Sequence, residues 1–438
     1  MKALFHEVEG KNCYRVKKID HPVSGIVEVP GSKSMTNRAL LLAALSNSMV
    51  KLHGVLFSDD SRHFLSCLQT LGYELCIDEQ ERTVSIIGTG GHIPKKNATI
   101  NVGSAGTAAR FLTAMLALSD GEYVIECSSQ MEKRPMKPLF DALTQLGAKF
   151  VFLKEEGFLP VKVIGNGGHC QDVSMDISTS TQFLSALLMI APISKNGMNI
   201  HITSEKKQGS YIEITRRMLS QFGVITEFDG ENYQVLGNQE ILMKEYTIEP
   251  DVSAACYFYA IAALTGGKII VKNVTFSLMQ GDMQFLSVLE RLGCEVCETK
   301  EGIQVTGPIG GEYQGIDIDM NNFSDQALTM AALAAYATSE TRIRNIGHTR
   351  YQECNRMQAI VNELTSVGIS CKECGDDLII TPGTVHQGII HTYEDHRVAM
   401  AFTLLGLRTE GIIILEPECC KKTFETFFEE FHQLVYQE

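Results

Sequence analysis

Two cations and a hydroxyl group lie at the start of the first predicted helix. Lys33, Ser34 and Arg38 follow a Gly-Ser turn and lead into the apolar run 39–45. A helix N-terminus offers free N–H groups and a partial positive charge, and it therefore binds anions well. Because Ser34 and Arg38 are four residues apart, they share one face of the helix. The segment predicts a phosphate or carboxylate site; the alternative is a solvated helix start.

Further charged residues occur in loops later in the chain. The cations are Arg134, Arg356, Arg397 and Lys422, and the carboxylates beside them are Asp325, Glu353 and Asp395. Single charges of this kind are ordinary on a protein surface, but these recur at matching points of an internal repeat. If the helix starts converge, the charges form a cationic cleft with a few acids. Such a cleft suits the binding of two anions and the movement of protons between them.

Small residues at 103–107 form another candidate anion site. Around Gly106 the backbone N–H groups could approach an anion closely. No Gly-Lys-Ser/Thr sequence follows, so the segment does not match a P-loop and nucleotide binding is not implied.

Metal sites have no support in the sequence. There is no HExxH motif and no EF-hand loop. Two C-x-x-C pairs occur, Cys294 with Cys297 and Cys371 with Cys374, both in strand-like segments. Residues three apart on a strand point to opposite faces. We therefore expect strand cysteines and no bound metal.

A short strand followed by an apolar helix recurs six times. The anchors of the copies are Pro30, Val102, Ile177, Pro250, Asn321 and Glu394, at intervals of 71 to 75 residues. Five of the copies continue into a second helix and a pair of strands, and the last lacks its closing hairpin, so the chain is predicted to contain six α/β units, grouped three and three. The recurring helices are apolar nearly all round and should be buried. A strand at 4–18 is expected to pair with the last unit.

Composition excludes several classes of function. The chain has 438 residues and a net charge of −14, and an acidic surface repels nucleic acid. The longest apolar stretches, such as 183–193, are too short to cross a bilayer. The first residues lack the apolar core of a signal peptide. Together with 13 cysteines, an odd number, this predicts a cytoplasmic protein with free thiols and no nucleic-acid or membrane partner.

Several segments together resemble the enolpyruvyl transferases, over nearly the whole chain. They are PGSKSMTNRALLLAALS, SAGTAARFL, MEKRPMKPLFDAL, STSTQFLSALLMIAP, SLMQGD, YEDHRVAMAF and Lys422-Thr423-Phe424. The resemblance implies an α/β fold of six βαβαββ units, an inverse α/β barrel-like fold with two domains of three units. One domain would hold residues 1–23 and 246–438 and the other residues 24–245. The active site would lie in the cleft between them.

The resemblance is greatest to the members of the family that act on shikimate 3-phosphate. It implies transfer of the enolpyruvyl group of phosphoenolpyruvate to the 5-hydroxyl of shikimate 3-phosphate, with release of phosphate by addition and elimination. This is a step of the shikimate pathway to chorismate and the aromatic amino acids. No metal or organic cofactor is implied, and we expect a monomer.

The resemblance also implies two sets of binding residues. The phosphoenolpyruvate set is Lys33, Gly106, Arg134, Gln182, Arg356, Arg397 and Lys422. The shikimate 3-phosphate set is Ser34, Arg38, Ser180, Thr181, Gln182, Tyr211, Asp325 and Gln352.

Four of the residues are implied to be catalytic. Asp325 would be the base toward the 5-hydroxyl. Glu353 and Lys422 would handle the proton at the enolpyruvyl carbon. Lys33, with the arginines, would hold charge as phosphate departs.

The sequence departs from the family pattern at several binding positions. Gln352 stands where the family has a lysine, so one charge is lost, and His348 stands where it has an asparagine. Gln208 aligns with a serine that commonly holds the 3-phosphate, whereas Thr181 replaces a serine and keeps the hydroxyl. These departures motivate one alternative, an enolpyruvyl transferase that acts on another cyclic phosphorylated alcohol.

A sister enzyme family and a non-catalytic relative are also compatible with parts of the sequence. The UDP-N-acetylglucosamine enolpyruvyl transferases begin with a Gly-Ala-Lys-Asn-type motif and carry a reactive cysteine in a mobile loop. Here the first motif is Gly-Ser-Lys-Ser, and Cys127 precedes the corresponding loop. A ligand-binding relative without catalysis would not need the intact Lys33, Asp325, Glu353 and Lys422.

Overall fold

The computed structural model describes residues 4–8, 10–167 and 172–436, and these form alternating strands and helices. The strands are β1 (Phe5–Val8), β2 (Lys11–Arg15), β3 (Ser24–Val27), β4 (Met49–His53), β5 (Leu75–Asp78), β6 (Thr83–Ile87), β7 (Asn97–Asn101), β8 (Glu122–Glu126), β9 (Lys149–Phe152), β10 (Val161–Ile164), β11 (Asp172–Met175), β12 (Met198–Ile202), β13 (Thr226–Phe228), β14 (Asn232–Val235), β15 (Glu245–Thr247), β16 (Lys268–Lys272), β17 (Glu295–Glu298), β18 (Gly302–Thr306), β19 (Asp317–Asp319), β20 (Thr341–Arg344), β21 (Ser370–Cys374), β22 (Asp377–Thr381), β23 (Gly388–Ile390) and β24 (Ile412–Leu415).

The α-helices lie between these strands. They are α1 (Lys33–Leu45), α2 (Asp59–Thr70), α3 (Gly106–Ala117), α4 (Ser129–Glu132), α5 (Lys137–Gln145), α6 (Gln182–Ile190), α7 (Ser210–Gln221), α8 (Val252–Thr265), α9 (Gln284–Arg291), α10 (Ala327–Ala334), α11 (Arg356–Ser366), α12 (His396–Thr403) and α13 (Phe427–Tyr436).

Six four-stranded sheets with one topology are present in the described residues, which confirms the predicted repeat. In the sheet β7-β8-β10-β9, β7 pairs parallel with β8, and β10 pairs antiparallel with both β8 and β9. The parallel pair needs a crossover, which α3 provides, and α5 follows β8 before the closing hairpin. The order of elements in this repeat is therefore βαβαββ.

The helix after the first strand of each unit is buried on nearly all sides, as its apolar sequence predicts. In α8, from Val252 to Leu264, only Ser253 is not fully buried. The corresponding helices α1, α3, α6, α10 and α12 are buried in the same way. Such helices form the core, and their N-termini lie in the loops that carry the candidate site residues.

At a larger scale the chain divides into two compact parts, called unit 1 and unit 2 from here on, and each contains three of the six repeats. Unit 2 is the continuous segment 31–249, and unit 1 contains residues up to 30 and from 250 onward. Unit 2 contains the sheets β15-β4-β6-β5, β7-β8-β10-β9 and β11-β12-β14-β13. Unit 1 contains the sheets β17-β18-β16-β3, β19-β20-β22-β21 and β1-β2-β24-β23.

The first strands of two repeats are exchanged between the units, which differs from the expected boundaries at 23/24 and 245/246. β3 precedes α1 in the chain but pairs parallel with β16 of unit 1. β15 precedes α8 but pairs parallel with β4 of unit 2. The chain therefore passes from one unit to the other after each exchanged strand, at 30/31 and 249/250.

The N-terminal segment is a hairpin, so the expectation of a single strand at 4–18 is wrong. β1 pairs antiparallel with β2 across a turn at Gly10, where φ is +76°. Positive φ favours glycine because it lacks a Cβ atom. β2 pairs with β24. The hairpin thus supplies the third and fourth strands of the sixth sheet, and the pairing with the last unit is confirmed.

The cysteine pairs lie on strands or beside them, as expected. Cys294 and Cys371 are buried, whereas Cys297 and Cys374 are exposed, so the members of each pair face opposite ways. In the described part of the chain, no three His, Cys, Asp or Glu side chains are grouped as metal ligands. No helix among the described residues has both the length and the apolar character needed to cross a membrane.

Candidate functional site

Except for Lys422, the candidate site residues of unit 1 lie at or just before helix N-termini. Asn355 caps α11, because its Oδ1 accepts a hydrogen bond from the Gln358 backbone N–H at 3.2 Å, and Arg356 is the first helical residue. Asp395 caps α12 by accepting from the backbone N–H of Arg397 at 2.9 Å. Asp325 lies in the 3₁₀ turn Ser324–Gln326 that leads into α10. Three neighbouring helix starts thus carry these charges.

Arg356 lies at the centre of a cluster of carboxylates. Its side chain is only 3% exposed. Its Nη1 is 2.8 Å from Asp325 Oδ1, its Nη2 is 2.9 Å from Glu353 Oε2, and its Nε is 2.8 Å from Asp395 Oδ2. Burial alone would lower the pKa of Arg356, but Asp395, Glu353 and Asp325 raise it above its ordinary value. The guanidinium is therefore permanently charged.

Two further cations complete this group, which we call the arginine–carboxylate cluster: Asp325, Gln352, Glu353, Arg356, Asp395, Arg397 and Lys422. Arg397 Nη2 is 2.9 Å from Asp325 Oδ2, so two arginines bridge the two oxygens of one carboxylate. Lys422 ends the 3₁₀ turn Pro417–Lys422, and its Nζ is 3.8 Å from Glu353 Oε1. Side-chain exposure is at most 10% for the ion-paired members. Buried charges in this number remain stable only as a mutually paired set.

Gln352, the one uncharged member of the arginine–carboxylate cluster, is turned toward Arg356. Its Oε1 accepts a hydrogen bond from Arg356 Nη1, although the resemblance implies a contact with shikimate 3-phosphate at this position. His348, another departure from the family, is close to the same group, with Nε2 2.8 Å from Ser324 Oγ. One departure, Gln352, is therefore part of the arginine–carboxylate cluster, and the other, His348, contacts the residue before Asp325.

In unit 2, Lys33 is the first residue of α1 and forms an ion pair with α2. Its Nζ is 3.5 Å from Asp60 Oδ2, and the Asp60 side chain is only 3% exposed. Sequence reasoning missed Asp60. An acid in the first turn of a helix also suits the helix dipole, so its position in the sequence did not distinguish it.

Arg38 is completely buried on α1 and contacts two further helices, α7 and α6, the latter through a hydrogen bond from its Nη2 to Ser185 Oγ at 3.3 Å. Its Nε donates to Thr215 Oγ1 at 2.7 Å, its Nη1 to the Ser34 carbonyl at 2.9 Å, and its Nη2 to the Tyr211 carbonyl at 3.2 Å. Burial lowers the pKa of Arg38 to about 10, so it remains charged at neutral pH. The structure thus brings Ser34, Arg38 and Tyr211 together, with Arg38 holding the backbone of the other two.

Gly106 begins α3 directly beneath two guanidinium groups. A Cβ atom at this position would lie 2.6 Å from Arg110 Nη1 and 2.7 Å from Arg134 Nη1, so a side chain would displace both. Arg110 Nη1 also donates to the Gly106 carbonyl at 2.9 Å. Sequence reasoning missed Arg110, although a buried arginine within the apolar helix α3 is itself a signal.

The remaining candidate residues surround the start of α6. Ser180 Oγ accepts from the Gln182 backbone N–H at 3.3 Å. Thr181 precedes α6, and its Cγ2 would be 3.3 Å from a Cβ atom on Gly209, next to α7. Gln182 Oε1 is buried and accepts no hydrogen bond among the described residues. This oxygen can accept from a ligand without losing a bond within the protein.

Comparisons with known proteins agree over nearly the whole chain. Residues 17–431 match the family model of EPSP synthase (3-phosphoshikimate 1-carboxyvinyltransferase). The 3-phosphoshikimate 1-carboxyvinyltransferase of Trichormus variabilis is 41% identical over 426 residues, which are 96% of this chain and 99% of the relative. The enzyme of the same name from Actinobacillus pleuropneumoniae is 41% identical over 94% of this chain and 96% of its own length.

Solved structures share the fold. The EPSP synthase of Acinetobacter baumannii superposes with a TM-score of 0.79 at 24% identity, over 96% of this chain and 98% of its own. The enolpyruvyl transferase NikO of Streptomyces tendae superposes with a TM-score of 0.75 at 16% identity, over 97% of both chains. These two likenesses support the predicted enolpyruvyl transferase fold.

Proposed function

The chain belongs to the EPSP synthase family, and from this we propose that it transfers the enolpyruvyl group of phosphoenolpyruvate to the 5-hydroxyl of shikimate 3-phosphate. The 5-oxygen adds to C2 of phosphoenolpyruvate while C3 gains a proton, which gives a tetrahedral intermediate. C3 then loses a proton and the C2–O bond to phosphate breaks. The products are 5-enolpyruvylshikimate 3-phosphate and inorganic phosphate. The reaction is an intermediate step of aromatic amino acid biosynthesis.

The observation that carries this proposal is the arginine–carboxylate cluster. The reaction needs a base for a hydroxyl group and an acid for a carbon atom, close to fixed positive charge. Asp325 supplies the base, with Arg356 and Arg397 orienting its two oxygens. The nearly buried setting strengthens each of these electrostatic contacts relative to water.

Glu353 and Lys422 provide the second proton-transfer step in this proposal. Their charged atoms are 3.8 Å apart and nearly buried, so a proton can be donated to C3 and later removed. Lys422 also balances the carboxylate charge. Because 3.8 Å is longer than a direct hydrogen bond, its ammonium group can turn toward an anion without breaking one to Glu353.

Both units contribute anion-binding residues to the proposal. Lys33, Gly106, Arg134 and Gln182 would bind phosphoenolpyruvate together with Arg356, Arg397 and Lys422. Ser34, Arg38, Ser180, Thr181, Gln182 and Tyr211 would bind shikimate 3-phosphate together with Asp325 and Gln352. Lys33 and the arginines would stabilise the phosphate as it leaves.

The proposal includes a cytoplasmic monomer that needs no added cofactor. All described cysteines are free, which suits a reducing compartment. Light scattering of the purified protein should give the mass of one chain. A dimer mass would contradict the monomer without affecting the proposed reaction.

The reaction is tested by measuring phosphate release from phosphoenolpyruvate in the presence of shikimate 3-phosphate. The wild-type protein should release phosphate only when both substrates are present. The Asp325→Asn variant should lose most of this activity, whereas Asp317→Asn, which changes an exposed carboxylate of the same unit, should keep it. No release by the wild type, with no calorimetric binding of shikimate 3-phosphate, would refute the proposed function.

A further inference from the structure

The segment SLMQGD (277–282) resembles the enolpyruvyl transferases, but none of its residues has a role in the proposed reaction. It leads into the 3₁₀ turn Gly281–Met283 of unit 1. Gln280 Oε1 accepts from the backbone N–H of Val252 at 3.0 Å, and Gln280 Nε2 donates to the Pro250 carbonyl at 2.8 Å. The segment therefore holds the start of α8.

Asp282, the last residue of this segment, is a buried carboxylate with two neutral donors. The residue is 6% exposed. Its Oδ2 accepts a hydrogen bond from Ser253 Oγ and another from Gln326 Nε2 at 2.9 Å. One oxygen thus joins the first turn of α8 to the 3₁₀ turn that carries Asp325.

Each of these donors leads directly to a proposed site residue. Ser253 Oγ lies 3.5 Å from Arg397 Nη2, the same nitrogen that pairs with Asp325. Gln326 follows Asp325 in the chain, and its Oε1 accepts from Thr329 Oγ1 at 2.9 Å. The side chain of Gln326 is therefore fixed at both ends.

From this geometry we propose that Asp282 is a positioning residue for the Asp325–Arg397 ion pair, acting through Ser253 and Gln326; the inference rests on the proposed function. Loss of the shared acceptor leaves the Ser253 hydroxyl group without its partner and the Gln326 amide with only the Ser253 carbonyl, 3.4 Å away, so both side chains must move to find new partners. Because Arg397 is assigned to phosphoenolpyruvate and Asp325 to the hydroxyl group, such movement affects both binding and turnover. A misplacement of about 1 Å can cost roughly 10²-fold in rate.

The charges around Asp282 are consistent with a positioning role. Burial and the nearby Asp325 raise the pKa of Asp282 to about 6, whereas Arg397 and the hydrogen bonds from Ser253 and Gln326 lower it. The Cys256 thiol, also on α8, donates to the Asp282 backbone carbonyl at 3.7 Å. The donors Ser253 and Gln326 stabilise the charged form of the Asp282 carboxylate, and the carboxylate in turn fixes the position of both donors.

The experiment compares Asp282→Leu, Asp282→Asn and Ser253→Ala with the wild type in steady-state kinetics. Asp282→Leu removes the acceptor and should raise KM for phosphoenolpyruvate at least about 10-fold and lower kcat by about 10- to 100-fold. Asp282→Asn keeps an acceptor oxygen and should recover part of both losses. Ser253→Ala breaks only the branch to Arg397 and should raise KM more than it lowers kcat. Asp317→Asn is the matched control.

The outcomes separate this inference from the proposed function. A purely structural role would reduce the amount of folded enzyme and leave KM unchanged in every variant, which would overturn the inference. If Asp282→Leu does not fold, unchanged KM values in Asp282→Asn and Ser253→Ala overturn it equally. A crystal structure of Ser253→Ala gives a readout that needs no activity. We expect the Asp325–Arg397 contact of 2.9 Å to lengthen, and an unchanged contact overturns the inference whatever the wild type catalyses.

Discussion

The two units carry their charged groups in different ways. In unit 1, Arg356, Arg397 and Lys422 are paired with the carboxylates of Asp325, Glu353 and Asp395. In unit 2, Arg38 is held by hydroxyl and carbonyl oxygens, and Lys33 pairs with the carboxylate of Asp60.

In the proposed reaction, this difference would give unit 1 the transfer of protons and leave unit 2 to bind anions. A cation whose partners are neutral keeps its full positive field for a ligand, which suits binding. A carboxylate bridged by cations is fixed in orientation, which suits proton transfer to a positioned substrate. We therefore expect substitutions in unit 1 to affect turnover most and substitutions in unit 2 to affect binding most.

The largest effect is expected for Glu353→Gln. Glutamine keeps the shape of the side chain but cannot transfer a proton, so kcat should fall by about 10²- to 10⁴-fold, with KM for both substrates within a few-fold of the wild type. Steady-state phosphate release and calorimetric binding measure the two effects. A large loss of binding with normal residual turnover would contradict the proposed role of Glu353 and weaken the contrast between the units.

A second comparison concerns stability. Arg356→Met would leave three buried carboxylates without their shared cation and should reduce the free energy of unfolding by about 3–5 kcal/mol. Lys33→Met leaves one buried carboxylate and should cost less, about 1–3 kcal/mol. Hydrogen exchange during urea unfolding can follow α11 and α1 separately. Equal losses would show that the two units do not differ in their dependence on paired charge.

A smaller effect is expected for Arg134→Gln in unit 2. Removing a cation above Gly106 should raise KM for phosphoenolpyruvate by about 10- to 100-fold, as loss of a charged hydrogen bond of ~1.5–3 kcal/mol implies, and should change kcat little. Arg62→Gln, which removes an exposed arginine paired with Glu79, is the control of matched chemistry. A fall in kcat alone would place Arg134 with the proton-transfer residues instead.

The smallest effect is expected for Gln352→Lys. A lysine at this position cannot accept the hydrogen bond from Arg356 and is repelled by it, so the ammonium group should turn away and become available to an anion. KM for shikimate 3-phosphate should then fall a few-fold while kcat stays similar. Abolished activity would favour a different acceptor, another cyclic phosphorylated alcohol, which parallel assays with other such alcohols can detect.

The pattern of apolar residues was sufficient to predict the six repeats and their buried helices. The run after Asp251 is apolar on every face, and a helix of that kind must be buried. Position in the repeat predicted that Arg356 and Asp395 lie in loops at matching points, and the structure has both at helix starts. The helices could be predicted from neighbouring residues, whereas the repeat needed a comparison of segments 71 to 75 residues apart.

The sequence could not predict which strands and side chains pair when they lie far apart in the chain. β3 and β15 occupy equivalent positions in their repeats, so nothing in either strand shows that their partners are exchanged. Asp60 and Asp282 each lie near a helix start, where an acid also suits the helix dipole. Their burial and their bonds to Lys33 and Ser253 depend on residues elsewhere in the chain. The sequence therefore predicted a set of charged site residues without indicating how they are paired.

The exchange of first strands has a consequence for synthesis on the ribosome. Unit 2 has all its strands once β15 has emerged, whereas β3 must wait for β16 and the hairpin of β1 and β2 must wait for β24. At ~5–20 residues/s, the chain after residue 249 takes roughly 10–40 s to appear. During that time the N-terminal hairpin offers an unpaired edge to other chains. Unit 2 is thus free to fold first. The N-terminal strands, although synthesised earliest, are among the last to pair with their partners. A chaperone would be of most use during this interval.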